Sequence, residues 1–391
     1  MDWIYRNVLL PPVRLATRED AEVAHDAFLK VMAFLQRHPS LESLVLRRGT
    51  IEHPLLRQEL MGGLTFPNPF TTAAGMDKNG TVYHSLARLT GAGAVELGAV
   101  TKRPQTGNER PRVVRVGRDN LINAMGFPNE GIDALVRAVA NGREPLVPLA
   151  VQVAKNKDTS DEDAPAEYGE LVRSFAGTKS AARGATGRPL PDYFSLNVSS
   201  PNTPGLRALQ APEVLRSILD QVGAALDERD DLGPEPRRRL LVKLAPDLDL
   251  DALDAVVDLV VSSGVGGLVL TNTTTERPVA SRYSSRPGGF SGSALFDRSA
   301  RLVRRAAEQL PTDRALIATG GIDTVDRAYE MLRYADLVGA YTGLVLQGPN
   351  LFRRLAAGVV ARMEAEGVGS LAELRADQRP RPGSGTSTGA R

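Results

Sequence analysis

The sequence contains no cysteine and only four histidines among its 391 residues. The lack of cysteine excludes disulfides, thiolate nucleophiles, iron–sulfur clusters and cysteine-ligated zinc. The histidines, at positions 25, 38, 53 and 84, do not have the spacing of a metal site. We therefore expect neither a bound metal nor thiol chemistry.

Long apolar runs and an excess of charge of one sign are also missing. No apolar run approaches the roughly 18–20 residues of a transmembrane helix, and the acidic start is unlike a signal peptide. With 48 basic and 46 acidic residues the formal charge is +2, so we expect no nucleic-acid partner. These absences predict a protein of the cytosol or of a membrane surface.

Lysine is scarce, at seven residues against 41 arginines. A lysine within an apolar strand is therefore unusual for this chain, and Lys243 has that position in Leu-Leu-Val-Lys-Leu (240–244). A buried structural lysine needs a partner anion and is uncommon. We favour a cofactor contact for Lys243 over a structural role.

Short apolar strands alternate with helical stretches from Pro69 onward. Such alternation indicates parallel strands with helical crossovers, and eight strands predict a (β/α)8 TIM barrel. An open doubly wound sheet is the alternative, but no G-x-G-x-x-G follows the first strand. The predicted strands are Phe70–Ala74, Ala94–Gly98, Leu146–Val153, Tyr193–Val198, Leu240–Leu244, Gly267–Thr271, Ala315–Thr319 and Leu337–Tyr341.

Three parts are predicted: an amphipathic helical extension over 1–56, the barrel over 57–366 and a largely disordered tail over 367–391. The tail has almost no apolar residues after Arg375. In the extension, one helix over 20–37 ends before Pro39, and Ser40 caps a second helix. An aromatic and apolar entry segment, Trp3–Leu10, precedes both. The apolar positions of the two helices are Val23, Ala27, Phe28, Val31, Met32 and Leu35, then Leu41, Leu44 and Val45.

This helical hairpin has two interpretations. It either packs on the barrel or forms a monotopic membrane face or a tunnel for an apolar partner. The residues alone favour packing.

Four insertions interrupt the alternation of strands and helices. Residues 101–127 contain a predicted β-ribbon at Arg112–Val116 and a loop over 123–127. Residues 177–191 and 228–239 should be exposed excursions. The loop over 273–292 is long enough to act as a lid.

Polar residues gather where several predicted strands end, which is where a (β/α)8 barrel forms its active site. The fourth strand ends in SLNVSSPNTPGLR (195–207), whose hydroxyls and amides either face a ligand or only satisfy a turn. The seventh and eighth strands end in Thr-Gly-Gly (319–321) and Tyr-Thr-Gly (341–343). Glycine-rich ends of these strands commonly bind a phosphate, and the neutral donors elsewhere suit a heteroaromatic ring.

Several motifs, taken together and in this order, resemble the dihydroorotate dehydrogenases, most closely their membrane-associated, quinone-reducing class (class 2). They are AAG-x-DK, SSPNTPGLR, VK-x-APDL, TNTT, GG-x-SG, GGI and Y-T-G, over roughly residues 60–360. The resemblance implies FMN, oxidation of dihydroorotate to orotate in pyrimidine (UMP) biosynthesis, and a membrane quinone as acceptor. It also implies a monomer held peripherally on the cytoplasmic side of the cell membrane, with the hairpin as quinone entrance.

Site residues carried over by motif assign Ser200 as the catalytic base. The cytosolic class of the family uses a cysteine as base, which this chain lacks. The implied substrate contacts are Lys78, Asn123, Ala124, Met125, Gly126, Phe127, Asn197, Asn202, Asn272 and Thr273. The implied FMN contacts are Ala74, Gly75, Met76, Asp77, Lys78, Ala99, Gln152, Asn197, Lys243, Thr271, Gly292, Gly321, Tyr341 and Thr342.

Three positions depart from the family pattern. Ala124 stands where an arginine is usual, so the 123–127 loop lacks a cation. Gln152 replaces an asparagine and keeps the amide on a longer arm. Ala99 replaces a threonine and leaves a backbone contact.

Two alternatives to the quinone-reducing function remain open. The chain could be a soluble flavin oxidoreductase that uses another acceptor, or a flavin-binding barrel without activity.

Overall fold

The computed structural model describes residues 21–46, 48–182, 186–376 and 378–380. The predicted entry segment Trp3–Leu10 lies outside these ranges. The strands are β1 Gln58–Leu60, β2 Leu64–Phe66, β3 Phe70–Asp77, β4 Ala94–Val100, β5 Val113–Val116, β6 Asn120–Asn123, β7 Leu149–Val153, β8 Tyr193–Asn197, β9 Leu240–Leu244, β10 Gly267–Leu270, β11 Gly289–Gly292, β12 Ala315–Thr319 and β13 Leu337–Ala340. The helices are α1 Ala21–Arg37, α2 Pro39–Val45, α3 Tyr83–Thr90, α4 Ile132–Asn141, α5 Ala164–Arg173, α6 Pro212–Asp227, α7 Leu250–Ser262, α8 Phe296–Ala307, α9 Val325–Leu332, α10 Thr342–Gln347, α11 Leu351–Glu366 and α12 Leu371–Arg375.

Eight parallel strands close into a barrel in the order β10-β12-β13-β3-β4-β7-β8-β9. The predicted (β/α)8 barrel is confirmed, because each predicted strand is present in the closed sheet. The two largest shifts are of three residues each: β3 ends at Asp77 rather than Ala74, and β7 begins at Leu149 rather than Leu146. Pro148 lacks the N–H that a ladder requires, and Leu146 is exposed.

The barrel is filled at the amino ends of its strands. Helices bury one face of the sheet, and a separate apolar cluster that includes Phe66 of β2, Tyr193 and Ile317 fills the interior. The short β1–β2 hairpin brings Met61 and Phe66 into this cluster. Because the barrel strands are buried on both faces, their sequences are nearly continuous apolar runs. This arrangement leaves the carboxyl ends as the open end of the barrel.

A small antiparallel sheet lies outside the barrel, in the order β11-β6-β5. It confirms the predicted β-ribbon, which pairs with β6. Strand β11 was expected to be part of a loop, but it pairs with β6 through Gly289–Asn123. A Cβ on Gly288 would lie 2.3 Å from the Asn123 carbonyl oxygen, so the close approach of the two segments requires glycine.

Two insertions are more firmly anchored than predicted. In the 228–239 segment Arg229 and Leu232 are buried, and Arg229 pairs with Asp231 at 2.7 Å. In the 177–191 segment Thr178 and Leu190 are buried, while residues 183–185 lie outside the described ranges. The expectation that these segments are exposed excursions is therefore corrected for both.

The start of the predicted tail at residue 367 also needs correction. Helix α12 follows α11, and Arg375 and Arg379 approach the buried Asp336 carboxylate at 3.2 and 2.7 Å. Arginines rather than apolar residues anchor this segment, so its composition resembles that of a disordered chain. The last part of the predicted tail, 381–391, lies outside the described residues.

Helices α1 and α2 form the predicted hairpin on the barrel. The apolar contact is small, with Met32, Leu35 and Leu46 packed on Val82. Within the described residues, no helix is long and apolar enough to cross a membrane. The predicted apolar face of α1 is divided, because Val31 remains 59% exposed while Met32 is buried.

Ion pairs carry much of the docking of this hairpin. The buried Glu42 carboxylate accepts a hydrogen bond from the Ser85 hydroxyl and pairs with Arg88 and Arg143. At the other end, Glu22 pairs with the buried Arg112 at 2.6 Å. These contacts join the hairpin to residues 43 to 101 positions away in the chain.

The docked hairpin should weaken in mild acid through His25. Burial, with the Lys78 charge second, lowers the pKa of His25 from 6.5 to about 4. Between these values a detached hairpin binds a proton that the docked one does not. Docking is therefore complete above about pH 6.5 and weakens toward pH 4, by at most about 1.4 kcal/mol per pH unit. Hydrogen exchange of α1 amides at pH 7 and pH 5, corrected for intrinsic rates, measures this.

Replacing His25 by glutamine removes this titration and should flatten the pH dependence of exchange. His38→Gln is the matched control, since His38 is exposed on the same hairpin. An H25Q variant whose α1 amides lose protection between pH 7 and pH 5 as much as the wild type would contradict the assignment.

Candidate active site

A cavity with about 1350 Å³ of empty space, counted to its open mouth, lies at the carboxyl ends of the barrel strands. Residues at the ends of all eight barrel strands line it. All but three of the predicted site residues line this cavity. They are Ala74, Gly75, Lys78, Ala99, Asn123, Met125, Gly126, Phe127, Gln152, Asn197, Ser200, Asn202, Lys243, Thr271, Asn272, Thr273, Gly292, Gly321, Tyr341 and Thr342.

Met76, Asp77 and Ala124 are the three that do not line the cavity. Met76 packs in the main apolar core. The Asp77 carboxylate accepts hydrogen bonds from the N–H groups of Thr81 and Val82 at 2.9 and 2.7 Å, so it holds the turn that follows Lys78. Burial raises the pKa of Asp77 against these hydrogen bonds. Ala124 lines a second, neighbouring cavity.

Ser200 lies in the turn that follows β8 and is 5% exposed. Its Oγ accepts a hydrogen bond from the Asn202 N–H at 3.2 Å. The Asn202 side chain donates to Asn123 Oδ1 at 3.1 Å, which joins the turn to the 123–127 loop. A hydrogen bond from an N–H group stabilises the deprotonated form of a hydroxyl relative to its neutral form. This contact therefore suits a proton-accepting role for Ser200.

Arg207 ties this turn to two other strand ends. Its guanidinium donates to the Ser199 carbonyl at 3.1 Å, to the Thr273 carbonyl at 2.8 Å and to Asp247 at 2.6 Å. The sequence identifies Arg207 only as part of a motif. Its role depends on carbonyls that the fold brings together.

The helical hairpin covers the rim beside β3. Burial lowers the pKa of the Lys78 ammonium, while the carboxylates of Glu22 and Asp26 on α1 oppose the shift. Burial also raises the pKa of Tyr341 to about 12, and Glu22 acts in the same direction. A Cβ on Gly75 would lie 3.2 Å from the Tyr341 ring. Helix α1, Lys78 and Tyr341 thus meet at one side of the cavity.

Glu96 is a functional candidate that the sequence analysis missed. It is 7% exposed on β4, and its carboxylate lies 3.7 Å from the Lys243 ammonium. It also accepts hydrogen bonds from the Ala74 N–H at 2.8 Å and the Gln152 amide at 3.0 Å. A glutamate within the apolar run Ala-Val-Glu-Leu-Gly (94–98) is a signal of the same kind as Lys243.

The lining fits a phosphorylated ring system and a small polar substrate. Gly320 and Gly321 have φ of 110° and 71°, and a Cβ on Gly321 would lie 2.7 Å from the Phe296 nitrogen. Glycine is therefore required at this turn, and no side chain covers its backbone N–H groups. Among the described residues, Asn202 Oδ1 and Thr273 Oγ1 are buried atoms without a protein hydrogen-bond partner, and both residues line the cavity. Such atoms in a pocket point to a ligand.

These features are typical of a (β/α)8 enzyme that binds a phosphorylated heteroaromatic cofactor beside a small polar substrate. Comparison with known proteins gives the family. The model of the dihydroorotate dehydrogenase family matches residues 55–363, and the chain belongs to that family.

Named relatives resemble the chain over nearly its whole length. A dihydroorotate dehydrogenase (quinone) of Natronomonas pharaonis is 40% identical over 356 residues, which cover 90% of this chain and 94% of that protein. The protein of the same name from Thermus thermophilus is 41% identical over 362 residues, covering 91% and 97%. The crystal structure of Eimeria tenella DHODH in complex with ferulenol has a TM-score of 0.78 at 29% identity, covering 92% and 96%.

Replacing Arg207 by lysine should destabilise the protein. Lysine keeps the charge but cannot donate to three acceptors in a planar fork, so buried carbonyls lose their partner. We expect a loss of about 1–3 kcal/mol in the free energy of unfolding, measured by denaturant titration. Arg173→Lys is the control, because Arg173 forks onto the exposed Glu228 and such surface pairs contribute little. Equal losses in the two variants would contradict the role of Arg207.

Proposed function

We propose that this chain is an FMN-dependent enzyme that oxidises (S)-dihydroorotate to orotate in pyrimidine biosynthesis and passes the electrons to a membrane quinone. The carrying observation is that Ser200, Lys78 and four asparagines line one cavity together with the residues expected to bind the cofactor. Relatives at about 40% identity over nine tenths of the chain bear the name of this reaction.

Ser200 is the base that removes a proton from the substrate carbon. A serine hydroxyl is far too weak an acid to act alone, so negative charge on its oxygen must be stabilised and its own proton must pass to water at the open mouth of the cavity. The Asn202 N–H supplies the first requirement at 3.2 Å from Oγ. Pro201 and Pro204 stiffen the turn, and Arg207 fixes its carbonyl at Ser199.

The substrate is an anion with ring carbonyl and ring N–H groups, and the cavity offers a partner for each. Lys78 and the amides of Asn123, Asn197 and Asn272 donate to its carboxylate and carbonyls. Asn202 Oδ1 and Thr273 Oγ1 accept from its ring N–H groups, which supplies the partner that they lack in the protein.

Bound FMN would supply the acceptor for the hydride of the substrate. Gln152, Asn197 and Lys243 would hold its ring through amide and ammonium donors, and Thr271 would contact it. Gly292, Gly321 and Thr342 hold its phosphate through backbone N–H groups and a hydroxyl. A cation beside the ring favours its reduced, anionic form, which is the role of Lys243.

The hairpin forms the quinone entrance and rests on the cytoplasmic face of the cell membrane. Its outer side exposes Val31, Phe34, Leu41 and Val45, at 59, 47, 38 and 55%. Apolar side chains exposed together on amphipathic helices suit an interfacial site. This exposed surface favours a quinone over the soluble acceptor of the alternative hypothesis. The enzyme acts as a monomer. Light scattering of the protein in detergent would test this oligomeric state.

Purified protein should be yellow, and dihydroorotate should bleach the flavin without oxygen. Replacing Ser200 by alanine should slow this bleaching by about 10²–10⁴-fold, because the base is lost. Stopped-flow absorbance measures the rate, and an unchanged flavin content is the control for folding. A colourless wild-type protein, or an S200A variant that is reduced at the wild-type rate, would contradict the proposal.

Replacing Phe34 by aspartate should weaken binding to lipid vesicles and turnover with a long-chain quinone at least several-fold. Flavin reduction by dihydroorotate should not change, because Phe34 is not among the residues that line the cavity with Ser200. Leu146→Asp is a closely matched control, since Leu146 is an equally exposed apolar side chain (47%) on the barrel. Vesicle co-sedimentation and quinone-reductase assays measure both effects. The same result in the two variants would argue against a membrane face on the hairpin.

A further inference from the structure

A row of hydrogen bonds crosses the carboxyl end of the barrel, starting at Glu96. The Gln152 amide nitrogen donates to Glu96 at 3.0 Å, and the Asn197 amide nitrogen donates to Gln152 Oε1 at 2.7 Å. Asn197 Oδ1 then accepts from the Ser199 N–H at 3.1 Å and from the Ser199 hydroxyl at 2.9 Å. The Asn272 amide donates to that hydroxyl at 2.9 Å and completes the row.

The groups that flank these amides permit only one orientation of each. The Glu96 carboxylate can only accept, so Gln152 must turn its nitrogen toward it. The Ser199 N–H can only donate, so Asn197 must turn its oxygen toward that group. Each amide nitrogen in the row has a second hydrogen that the row does not use. Asn272 Oδ1 accepts from the Thr273 N–H at 2.8 Å, so the Asn272 nitrogen faces Ser199. The amides of Gln152, Asn197 and Asn272 are thus set as donors at the cavity, where they meet carbonyl oxygens of a bound ring.

Glu96 does not itself line the cavity; it lies behind residues that do. It accepts from the Ala74 N–H at 2.8 Å and lies 3.7 Å from the Lys243 ammonium, and both of these residues line the cavity. Its negative charge therefore offsets part of the positive charge that Lys243 brings to the cofactor. With Glu96 at 7% and Lys243 at 5% exposure, water screens this pair weakly.

We infer that Glu96 is a positioning residue that sets the amide donors of Gln152 and Asn197 toward FMN and lowers the reduction potential of the bound flavin by partly neutralising Lys243. The inference rests on the proposed function. It concerns the part of the reaction that Ser200 does not control, namely how readily the ring accepts the hydride and gives up the electrons.

The test compares Glu96→Gln with the wild-type holoenzyme. Glutamine removes the charge, so the reduced flavin should be favoured at least tenfold more. This is a shift of about 30 mV toward positive potential for a two-electron couple. Glutamine also has only one oxygen for the two donors that Glu96 serves, the Ala74 N–H and the Gln152 amide, so one donor must face another donor. The deflavinated variant should therefore rebind FMN several-fold more weakly than the deflavinated wild type. Dye-coupled redox titration and flavin fluorescence measure the two quantities.

Asp192→Asn is the matched control. Asp192 is equally buried and accepts from a strand N–H at 2.8 Å, but it precedes β8 at the opposite end of the barrel. Its replacement should leave the flavin potential unchanged. Glu96→Met is a second neutral variant, which removes the charge without adding a donor and should shift the potential in the same direction if the glutamine variant does not fold.

A potential in the neutral variant that equals or lies below the wild-type value overturns the inference, whatever the FMN affinity. That outcome leaves the proposed function standing if dihydroorotate still reduces the flavin of the wild-type protein. A wild-type protein that binds no FMN contradicts the proposed function instead, so the two failures are distinguishable.

Discussion

Closure of the parallel sheet is the constraint from which the rest of the structure follows. A closed barrel has no edge strand, so each strand is bonded on both sides and buried on both faces. A polar side chain within such a strand has to find a partner inside the barrel or reach the open end. Glu96, Gln152, Asn197 and Lys243 meet this requirement together, in one polar layer above the apolar cluster around Tyr193.

Closure also explains why much of the site could be predicted from local sequence. Parallel strands bring their carboxyl ends to one rim of the barrel. A motif that is predicted to follow a strand is therefore also predicted to lie near the motifs that follow the other strands. Strands β9 and β12 have the predicted bounds, and their ends bring Lys243 and Thr319 to the cavity. No contact between distant residues had to be known for this result.

What could not be predicted depends on which distant residues become neighbours. Glu96 is as unusual in its strand as Lys243, but the sequence does not say that the two side chains meet across the barrel. The same limit applies to Arg207, whose acceptors lie at strand ends up to 66 residues away. The end of the folded chain was misplaced because Arg379 binds the buried Asp336 through charge. Composition measures apolar content and does not register such an anchor.

The hairpin illustrates why amphipathicity does not reveal what an apolar face contacts. Both helices have the periodicity expected of packing on the barrel, and Met32 and Leu35 pack there. The attachment depends equally on buried carboxylates, since Glu22 and Glu42 pair with arginines outside the hairpin. Ionic docking leaves other apolar side chains, such as Phe34, free to face outward. Packing and an exposed apolar surface are therefore compatible, and the two interpretations of the hairpin describe its inner and outer sides.

The two interpretations of Lys243 are compatible for a related reason. A buried ammonium without an anion is costly, so a lysine that serves a cofactor still needs a partner when the cofactor's charge changes during turnover. Glu96 supplies that partner from behind the cavity, at a distance of 3.7 Å. A closer, fully hydrogen-bonded pair would cancel more of the charge that the cofactor can use. The geometry is that of a lysine that has an anionic neighbour at 3.7 Å and still lines the cavity, so its structural and functional roles are one arrangement.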